Sequence, residues 1–138
     1  MKTKQQGLTL VELMVVVAVL SIIASVAYPL YTTQMQKIRR ADAKTALAAV
    51  ALAQERYYTA NGGYAATLSS LQLSTELSGG RSEKGYYNIT RLTVTNSGQS
   101  YTVQARKRSA AAQADDTTCS WFQIDHTGDR TARNSSCW

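Results

Sequence analysis

The sequence predicts an α+β fold in which one long N-terminal helix packs on an antiparallel sheet of about four strands. Three observations predict it. An apolar run lies near the N-terminus, a helix-forming segment follows it, and the C-terminal half consists of short alternating stretches separated by turn residues. With 138 residues, the chain has room for one modest domain after the apolar run.

The apolar run covers residues 8–31 and contains one ionisable residue, Glu12. A helix of this length would extend about 36 Å, and the hydrocarbon core of a bilayer is about 30 Å thick. The run is therefore long enough to span a membrane, which leaves residues 32–138 to form a domain outside the bilayer.

A cleaved secretory signal is the alternative interpretation of this segment. Lys2 and Lys4 precede the apolar run, and the small residues at 25–27 would place a cleavage site before Tyr28. Two features oppose it. The run is longer than the roughly 7 to 15 apolar residues of a secretory signal. A carboxylate at membrane depth, as at Glu12, costs about 2.5 to 3.5 kcal/mol, so its presence suggests a function.

A helix-forming segment covers residues 36–58. It is rich in Ala, Leu, Lys, Arg and Gln and contains neither Gly nor Pro. When the segment is drawn as a helix, one face collects a set of mostly apolar residues: Ala43, Leu47, Val50, Ala51, Gln54, Tyr57 and Tyr58. Asn61, Gly62 and Gly63 offer left-handed backbone that ends a helix. We therefore expect a single long helix, apolar in its first half and amphipathic in its second.

Residues 64–85 are predicted to form an ordered loop. Their spaced leucines lie among Ser, Thr and Gly, and we expect these leucines to pack over the core. The leucines are Leu68, Leu71, Leu73 and Leu77.

Strand signals follow this loop. β-branched, aromatic and alternating segments are separated by turn residues at 96–99 and 126–129, and a polar connector occupies residues 108–118. The predicted strands are residues 86–95, 100–106 and 119–125, with a short final segment after the second turn. An antiparallel sheet packed on the amphipathic helix face is the economical arrangement.

The chain contains two cysteines, Cys119 and Cys137. In an exported protein they predict a disulfide that closes a C-terminal loop and contributes about 3 kcal/mol of stability. Two free buried thiols are the alternative. His126 is the only histidine and no C-x-x-C motif occurs, so we predict no metal site and no cofactor. We expect no enzyme activity either, because the sequence has no plausibly spaced nucleophile and base and no glycine-rich phosphate loop.

The N-terminal junction resembles the class III leader of type IV prepilins. Residues 4–13 read KQQGLTLVEL, so a short basic leader ends at Gly7 and the apolar segment carries Glu12 at its fifth position. Pro29 lies where this family usually has a helix-kinking proline. The resemblance implies that a prepilin peptidase cuts after Gly7 and methylates the new amine of Leu8, which stands where phenylalanine is usual.

The same resemblance divides the chain into three parts. Residues 1–7 would be the leader peptide, residues 8–31 the transmembrane and assembly helix, and residues 32–138 a periplasmic or extracellular globular domain. The precursor would reside in the inner membrane and the mature subunit in the extracellular fibre.

The resemblance implies an assembly role for Glu12. A buried carboxylate needs a cation, and the family suggests the N-terminal amine of a neighbouring subunit, so Glu12 would set the register of assembly. From the residues alone, two alternatives stay open: Lys2 and Lys4 hold Glu12 at the membrane interface, or the helix dipole favours it at a helix N-terminus. Likewise, Pro29 would kink and loosen the helix inside the fibre, or the helix would simply bend where it leaves the bilayer.

Several segments of the globular part resemble PilE-type minor pilins. They are residues 40–44 (RADAK) and 54–58 (QERYY), together with Asn61, Gly62, Tyr64, Asp125, Thr127, Gly128, Arg130, Cys137 and Trp138. This resemblance implies a structural subunit of a type IV pilus, of the minor kind that primes assembly at the tip. The implied partners are other major and minor pilin subunits, prepilin peptidase, the inner-membrane assembly platform and the inner membrane itself.

Two other functions compete with this one. A DNA-binding pilin for DNA uptake is suggested by the net charge of +6 and by basic residues in the C-terminal part: Arg106, Lys107, Arg108, Arg130 and Arg133. Basic clusters are usually solvated faces, so DNA is the weaker expectation. A pseudopilin of a type II secretion system would share the leader and the helix, but many major pseudopilins bind calcium where pilins have a C-terminal disulfide.

Overall fold

The computed structural model of the protein describes residues 9–138. Gly7 and Leu8, the predicted cleavage and methylation site, lie outside the described residues. The chain divides into two compact units, one ending at Met35 and the other covering Gln36–Trp138.

Within the described residues, helix α1, Leu10–Asn61, contains both predicted helical segments except for Thr9, which precedes it. Its end is the predicted one: Gly62 has φ +75°, and its N–H donates to the Tyr58 carbonyl over 2.8 Å. Glycine adopts this left-handed conformation without a Cβ clash, which is why it terminates helices so often. The prediction of one long helix is confirmed.

The globular half of α1 buries one face. Four of the seven residues predicted there are buried (Ala43, Leu47, Val50 and Gln54), whereas Ala51, Tyr57 and Tyr58 are half-buried. The buried face is completed by three residues that the prediction left out: Asp42, Ala46 and Ala53. The buried face of the helix is therefore centred slightly to one side of the predicted face.

The segment between helix and sheet is ordered, as predicted. It contains a single 3₁₀ turn at Leu68–Ser70 and a short helix α2 at Thr75–Ser78, capped by the Ser74 hydroxyl. Leu71 and Leu77 are buried, and the other two leucines pack against the core at its edge. The expectation that the leucines serve packing is confirmed.

Four antiparallel strands form one sheet in sequence order, a simple meander. They are β1 Tyr87–Thr95, β2 Ser100–Lys107, β3 Trp121–Asp125 and β4 Arg130–Ala132. The predicted strands agree with these bounds within one residue, except that β3 begins two residues later than predicted. The reason lies at Cys119, whose N–H donates to the Asp116 carboxylate over 3.0 Å and not to a neighbouring strand.

The core lies between α1 and the inner face of the sheet. Leu47 and Val50 of the helix belong to the same buried cluster as Tyr87, Val103 and Phe122 of the sheet. Tyr87 and Phe122 meet edge to face, with ring centroids 5.7 Å apart, an arrangement that adds about 0.5 to 1.5 kcal/mol to their burial.

The predicted disulfide is confirmed. Cys119 and Cys137 are bonded, with S–S 2.03 Å, and both are buried. The loop that they close contains β3 and β4, so the bond ties the last two strands to the end of the connector.

The connector at residues 108–118 is more than the polar link that was predicted. Gln113 and Asp116 within it are fully buried. Asp116 accepts two hydrogen bonds from Arg40 of α1, and Gln113 donates to the Gln36 carbonyl over 3.2 Å. The connector is therefore fastened to the helix by buried polar contacts.

Candidate functional site

The first part of α1 exposes nearly all its apolar side chains. Leu10 is 75% exposed, Val17 53% and Ile22 69%. Of the helices in the described part of the chain, α1 is the one long and apolar enough to cross a membrane. Such an uninterrupted apolar surface is unfavourable in water and marks a membrane or protein interaction site.

Thr9 and Glu12 form a reciprocal cap at the start of α1. The Glu12 N–H donates to Thr9 Oγ1 over 3.2 Å, and the Thr9 N–H and hydroxyl lie 3.5 Å from Glu12 Oε2. This is the capping-box pattern, in which a threonine and a glutamate three residues later satisfy each other's backbone donors. Glu12 is exposed, so its carboxylate is open to a cation from another chain. Its assembly role stays a prediction.

Pro29 lies inside α1, which continues on both sides of it. The hydroxyls of Thr32 and Thr33 both donate to the Pro29 carbonyl, over 3.0 and 2.9 Å. The predicted kink stays a prediction.

The three residues of the basic triplet at 106–108 lie at the end of β2 and do not present their charges together. Arg106 is exposed on the outer face of the sheet, where its Nε donates to Gln104 Oε1 over 3.0 Å. Lys107 donates to the Ala114 carbonyl, and Arg108 to the Gly85 carbonyl over 2.8 Å. Of the three, Arg106 alone presents its charge on the outer face of the sheet. Alternation along the strand turns Lys107 toward the other face, and Arg108 lies beyond the end of β2 and bonds the Gly85 carbonyl.

The outer face of the sheet gathers other groups around Arg106. Strand pairing places Arg106 beside Trp121 of β3, and Arg91 of β1 beside Gln104. Arg133 follows β4 and donates its N–H to the Trp121 carbonyl over 3.3 Å. We call Arg91, Arg106, Trp121 and Arg133 the outer basic face. Arg106 and Arg133 adjoin Trp121, and Arg91 adds a third cation two strands away from it. Such a surface suits an anionic, aromatic ligand such as a nucleic acid.

Arg130 belongs to a different place. It lies with Lys44 of α1 beside the indole of Trp138, at a cleft next to the helix. The guanidinium carbon of Arg130 is 5.4 Å from the indole centroid, and Lys44 Nζ is 5.8 Å from it. Burial, followed by the positive charges of Arg40 and Arg130, holds the pKa of Lys44 below its ordinary value. The five basic residues singled out in the sequence therefore do not form one patch.

Arg91, Trp121 and Lys44 are site residues that the sequence alone did not identify. The alternation within each strand assigns its residues to two faces, but which residues of different strands become neighbours depends on register, and the bulge between Ile89 and Arg91 shifts that register. Lys44 could not be paired with Arg130 because the contact joins the helix to the far end of the sheet.

Two family profiles match the sequence. Residues 2–28 match the prokaryotic N-terminal methylation motif. Residues 29–123, more than half of the chain, match the family described as type IV minor pilin ComP, DNA uptake sequence receptor. Together the two matches cover the helix and most of the globular part.

Individual relatives agree with these matches. The chain is 28% identical over 126 residues to a fimbrial protein of Neisseria meningitidis serogroup A, covering 88% of this chain and 74% of that protein. A type IV pilin from Shewanella oneidensis has the same fold, with a TM-score of 0.53 and 28% identity over 75% of this chain and 97% of the other. The minor pilin PilV of Neisseria meningitidis shares the fold, with a TM-score of 0.51 and 22% identity over 72% of this chain and 87% of the other. The chain belongs to the type IV pilins, structural proteins that assemble with one another into pili, and within them to the family of the minor pilin ComP.

Proposed function

We propose that this protein is a minor subunit of a type IV pilus, assembled through its N-terminal helix. The observation that carries the proposal is the exposed apolar segment at the start of α1, which coincides with the N-terminal methylation motif. Prepilin peptidase cuts after Gly7 and methylates Leu8, which keeps residues 8–31 in the mature protein. The precursor resides in the inner membrane, and the assembly platform moves the mature subunit into the extracellular fibre. There, other pilins cover the apolar surface.

In this proposal Glu12 sets the register of the subunit. While the helix is in the bilayer, the Glu12 carboxylate accepts hydrogen bonds from the N–H and the hydroxyl of Thr9. The contact between Thr9 and the Glu12 carboxylate is weak, because both of its distances are 3.5 Å. On assembly, the methylated amine of a neighbouring subunit replaces it. A full positive charge stabilises a buried carboxylate better than a hydroxyl does.

The test is the fraction of the protein found in sheared fibres relative to the cell envelope. We expect Glu12→Gln to lower that fraction about tenfold or more, since losing one partner of a buried ion pair typically costs at least about 1.4 kcal/mol. Glu76→Gln is the matched control, because Glu76 is an exposed glutamate of the globular part. Normal incorporation of Glu12→Gln would contradict the register role.

DNA binding for uptake is the second candidate function. Two observations favour it: the family that the chain matches is described as a DNA uptake sequence receptor, and the outer basic face combines three cations with an indole. Arginine guanidinium groups bind phosphate in bidentate fashion, and an indole offers a stacking surface. Because Lys107 and Arg108 donate to backbone carbonyls, the candidate DNA contacts are Arg91, Arg106 and Arg133 and not the whole triplet.

This candidate is tested by titrating labelled duplex DNA with the full-length protein in non-ionic detergent across a series of salt concentrations. The logarithm of the binding constant falls linearly with the logarithm of the salt concentration. We expect each of Arg91→Gln, Arg106→Gln and Arg133→Gln to make this negative slope shallower by about 1. Lys37→Gln on the helix serves as the control of equal charge change. Salt-independent binding, or slopes unchanged in all three variants, would remove DNA binding at this face.

A further inference from the structure

We propose that the cleft beside the globular half of α1 is a socket for an acidic side chain of an adjacent pilin subunit. This inference rests on the pilus function proposed above. The cleft has a volume of about 400 Å³ and is lined by Lys44, Thr45, Ala48, Ile124, Arg130 and Trp138. We call it the Lys44 cleft.

The cations of the Lys44 cleft are held in place but keep their hydrogen-bond donors. Lys44 Nζ lies 5.8 Å from the Trp138 ring centroid and 6.0 Å from that of Phe122, and Arg130 lies over the same indole. The indole is itself fixed, because its Nε1–H donates to the Thr131 carbonyl over 2.7 Å. Cation–π contacts position a charge without using its N–H groups, so both cations can still bind a carboxylate.

Within residues 9–138, the ion pairs of the chain join Arg40 to Asp116 and Arg81 to Glu76, and neither includes Lys44 or Arg130. The two cations of the cleft therefore form no ion pair within these residues. Repulsion among neighbouring cations is relieved when a negative charge enters. Burial, followed by the positive charges of Arg40 and Arg130, lowers the pKa of Lys44, and an anion bound in the cleft would oppose that shift.

The walls of the cleft favour a protein as the source of that charge. Thr45 and Ala48 belong to an exposed stripe on α1 whose members alternate three and four residues apart: Ile38, Ala41, Thr45, Ala48 and Leu52. Ile38 is 60% and Leu52 54% exposed. This spacing is that of helix-packing seams, and small residues in it allow close approach. A carboxylate flanked by apolar side chains matches this surface, because the exposed stripe of α1 continues past the cleft in both directions and offers contacts to a second helix.

The first test measures incorporation in the cells that make the pilus. We expect Lys44→Gln and Arg130→Gln each to lower the ratio of fibre to envelope protein about threefold, and the double variant about tenfold, as for close charge pairs at interfaces. Lys44→Arg keeps the charge and should restore the wild-type ratio. Lys37→Gln and Lys84→Gln, exposed cations outside the cleft, should leave it unchanged. Equal envelope levels and an intact disulfide exclude misfolding.

The second test leaves both cations in place. A photo-cross-linking residue, p-benzoylphenylalanine, replaces Ala48 in the full chain, and the adducts in sheared fibres are mapped by mass spectrometry. An adduct to a pilin peptide that contains Asp or Glu near the cross-linked atom supports the socket. An adduct to nucleic acid, or fibres without any pilin adduct, overturns it.

The outcomes separate this inference from the function on which it rests. A double variant that enters fibres normally, while Glu12→Gln does not, overturns the socket and keeps the pilus function. A wild-type protein absent from fibres overturns both.

Discussion

Asp116 is a buried charge whose partner lies 76 residues away in the sequence. Arg40 Nε donates to Asp116 Oδ2 over 2.6 Å and Arg40 Nη2 to Oδ1 over 2.9 Å, while Gln113 and the Cys119 N–H supply two more hydrogen bonds. Burial works to raise the pKa of Asp116, but these hydrogen bonds, above all those from Arg40, hold it below its ordinary value. The sequence marks residues 108–118 only as polar, because nothing local identifies so distant a partner.

We expect Arg40→Met to reduce the free energy of unfolding by about 3 to 5 kcal/mol, since removing one partner leaves an unpaired buried charge. Urea unfolding of the full-length protein in detergent, followed by tryptophan fluorescence, measures it. Lys37→Met, at an exposed position one turn earlier, should change the value by less than about 0.5 kcal/mol. Similar losses in both variants would show that the ion pair contributes little.

The pH dependence follows from the direction of the Asp116 shift. A carboxyl whose pKa is lower in the folded than in the unfolded state stabilises the fold above its unfolded value of about 3.9. That contribution is lost as the pH falls through the folded pKa. The stability difference between the wild type and Asp116→Asn should therefore be full above about pH 4 and shrink below it, as measured by urea midpoints. A difference that is constant down to acid pH would contradict this assignment.

Asp42 fastens the end of the long loop to the helix. Its carboxylate accepts hydrogen bonds from the Ser82 hydroxyl and from the N–H groups of Lys84 and Tyr86, over 2.6, 3.1 and 3.2 Å. We expect Asp42→Ala to cost about 2 to 4 kcal/mol, because buried donors lose their acceptor, and to speed amide hydrogen exchange at Lys84 and Tyr86. Asp115→Ala, an exposed aspartate, is the control. Unchanged exchange at both amides would contradict the role.

At the scale of elements, local patterns predicted most of what the structure contains. The continuous helix, its glycine stop and the alternation of Tyr101, Val103 and Ala105 toward the core could all be read from short windows of sequence, and all three strand residues are buried. Two features escaped prediction. β3 begins late because Asp116, which the distant Arg40 holds, accepts the N–H of Cys119, and Arg106 is separated from Arg130. Strand register and helix-to-sheet contacts are not encoded in any single window.

The disulfide is the element-scale feature whose contribution is most easily isolated. It closes a loop with a sequence separation of 18 residues, for which the chain-entropy model gives about 3 kcal/mol. We expect the double variant Cys119→Ala, Cys137→Ala to unfold with a free energy lower by about that amount, measured by urea unfolding against wild type in the absence of reductant. A wild type whose stability is insensitive to reductant would contradict the expectation.

At the scale of the whole molecule, the N-terminal region and the globular part differ in how much of their function can be predicted from the sequence. The N-terminal region could be assigned from the leader, Glu12 and the apolar length, and the family matches agree with that assignment. The candidate sites of the globular part could not, because the outer basic face and the Lys44 cleft exist only once helix and sheet are packed. In the proposed function, a membrane covers the exposed apolar helix before assembly and neighbouring subunits cover it afterwards.

The most direct test of the account is the N-terminus of the mature protein. Sheared surface fibres are purified, and the intact mass and N-terminal residue of this subunit are determined. The account predicts a chain in the fibres that begins at a methylated Leu8. A chain that begins at Tyr28 would mean that the apolar segment is a discarded secretory signal, and it would contradict assembly through the helix.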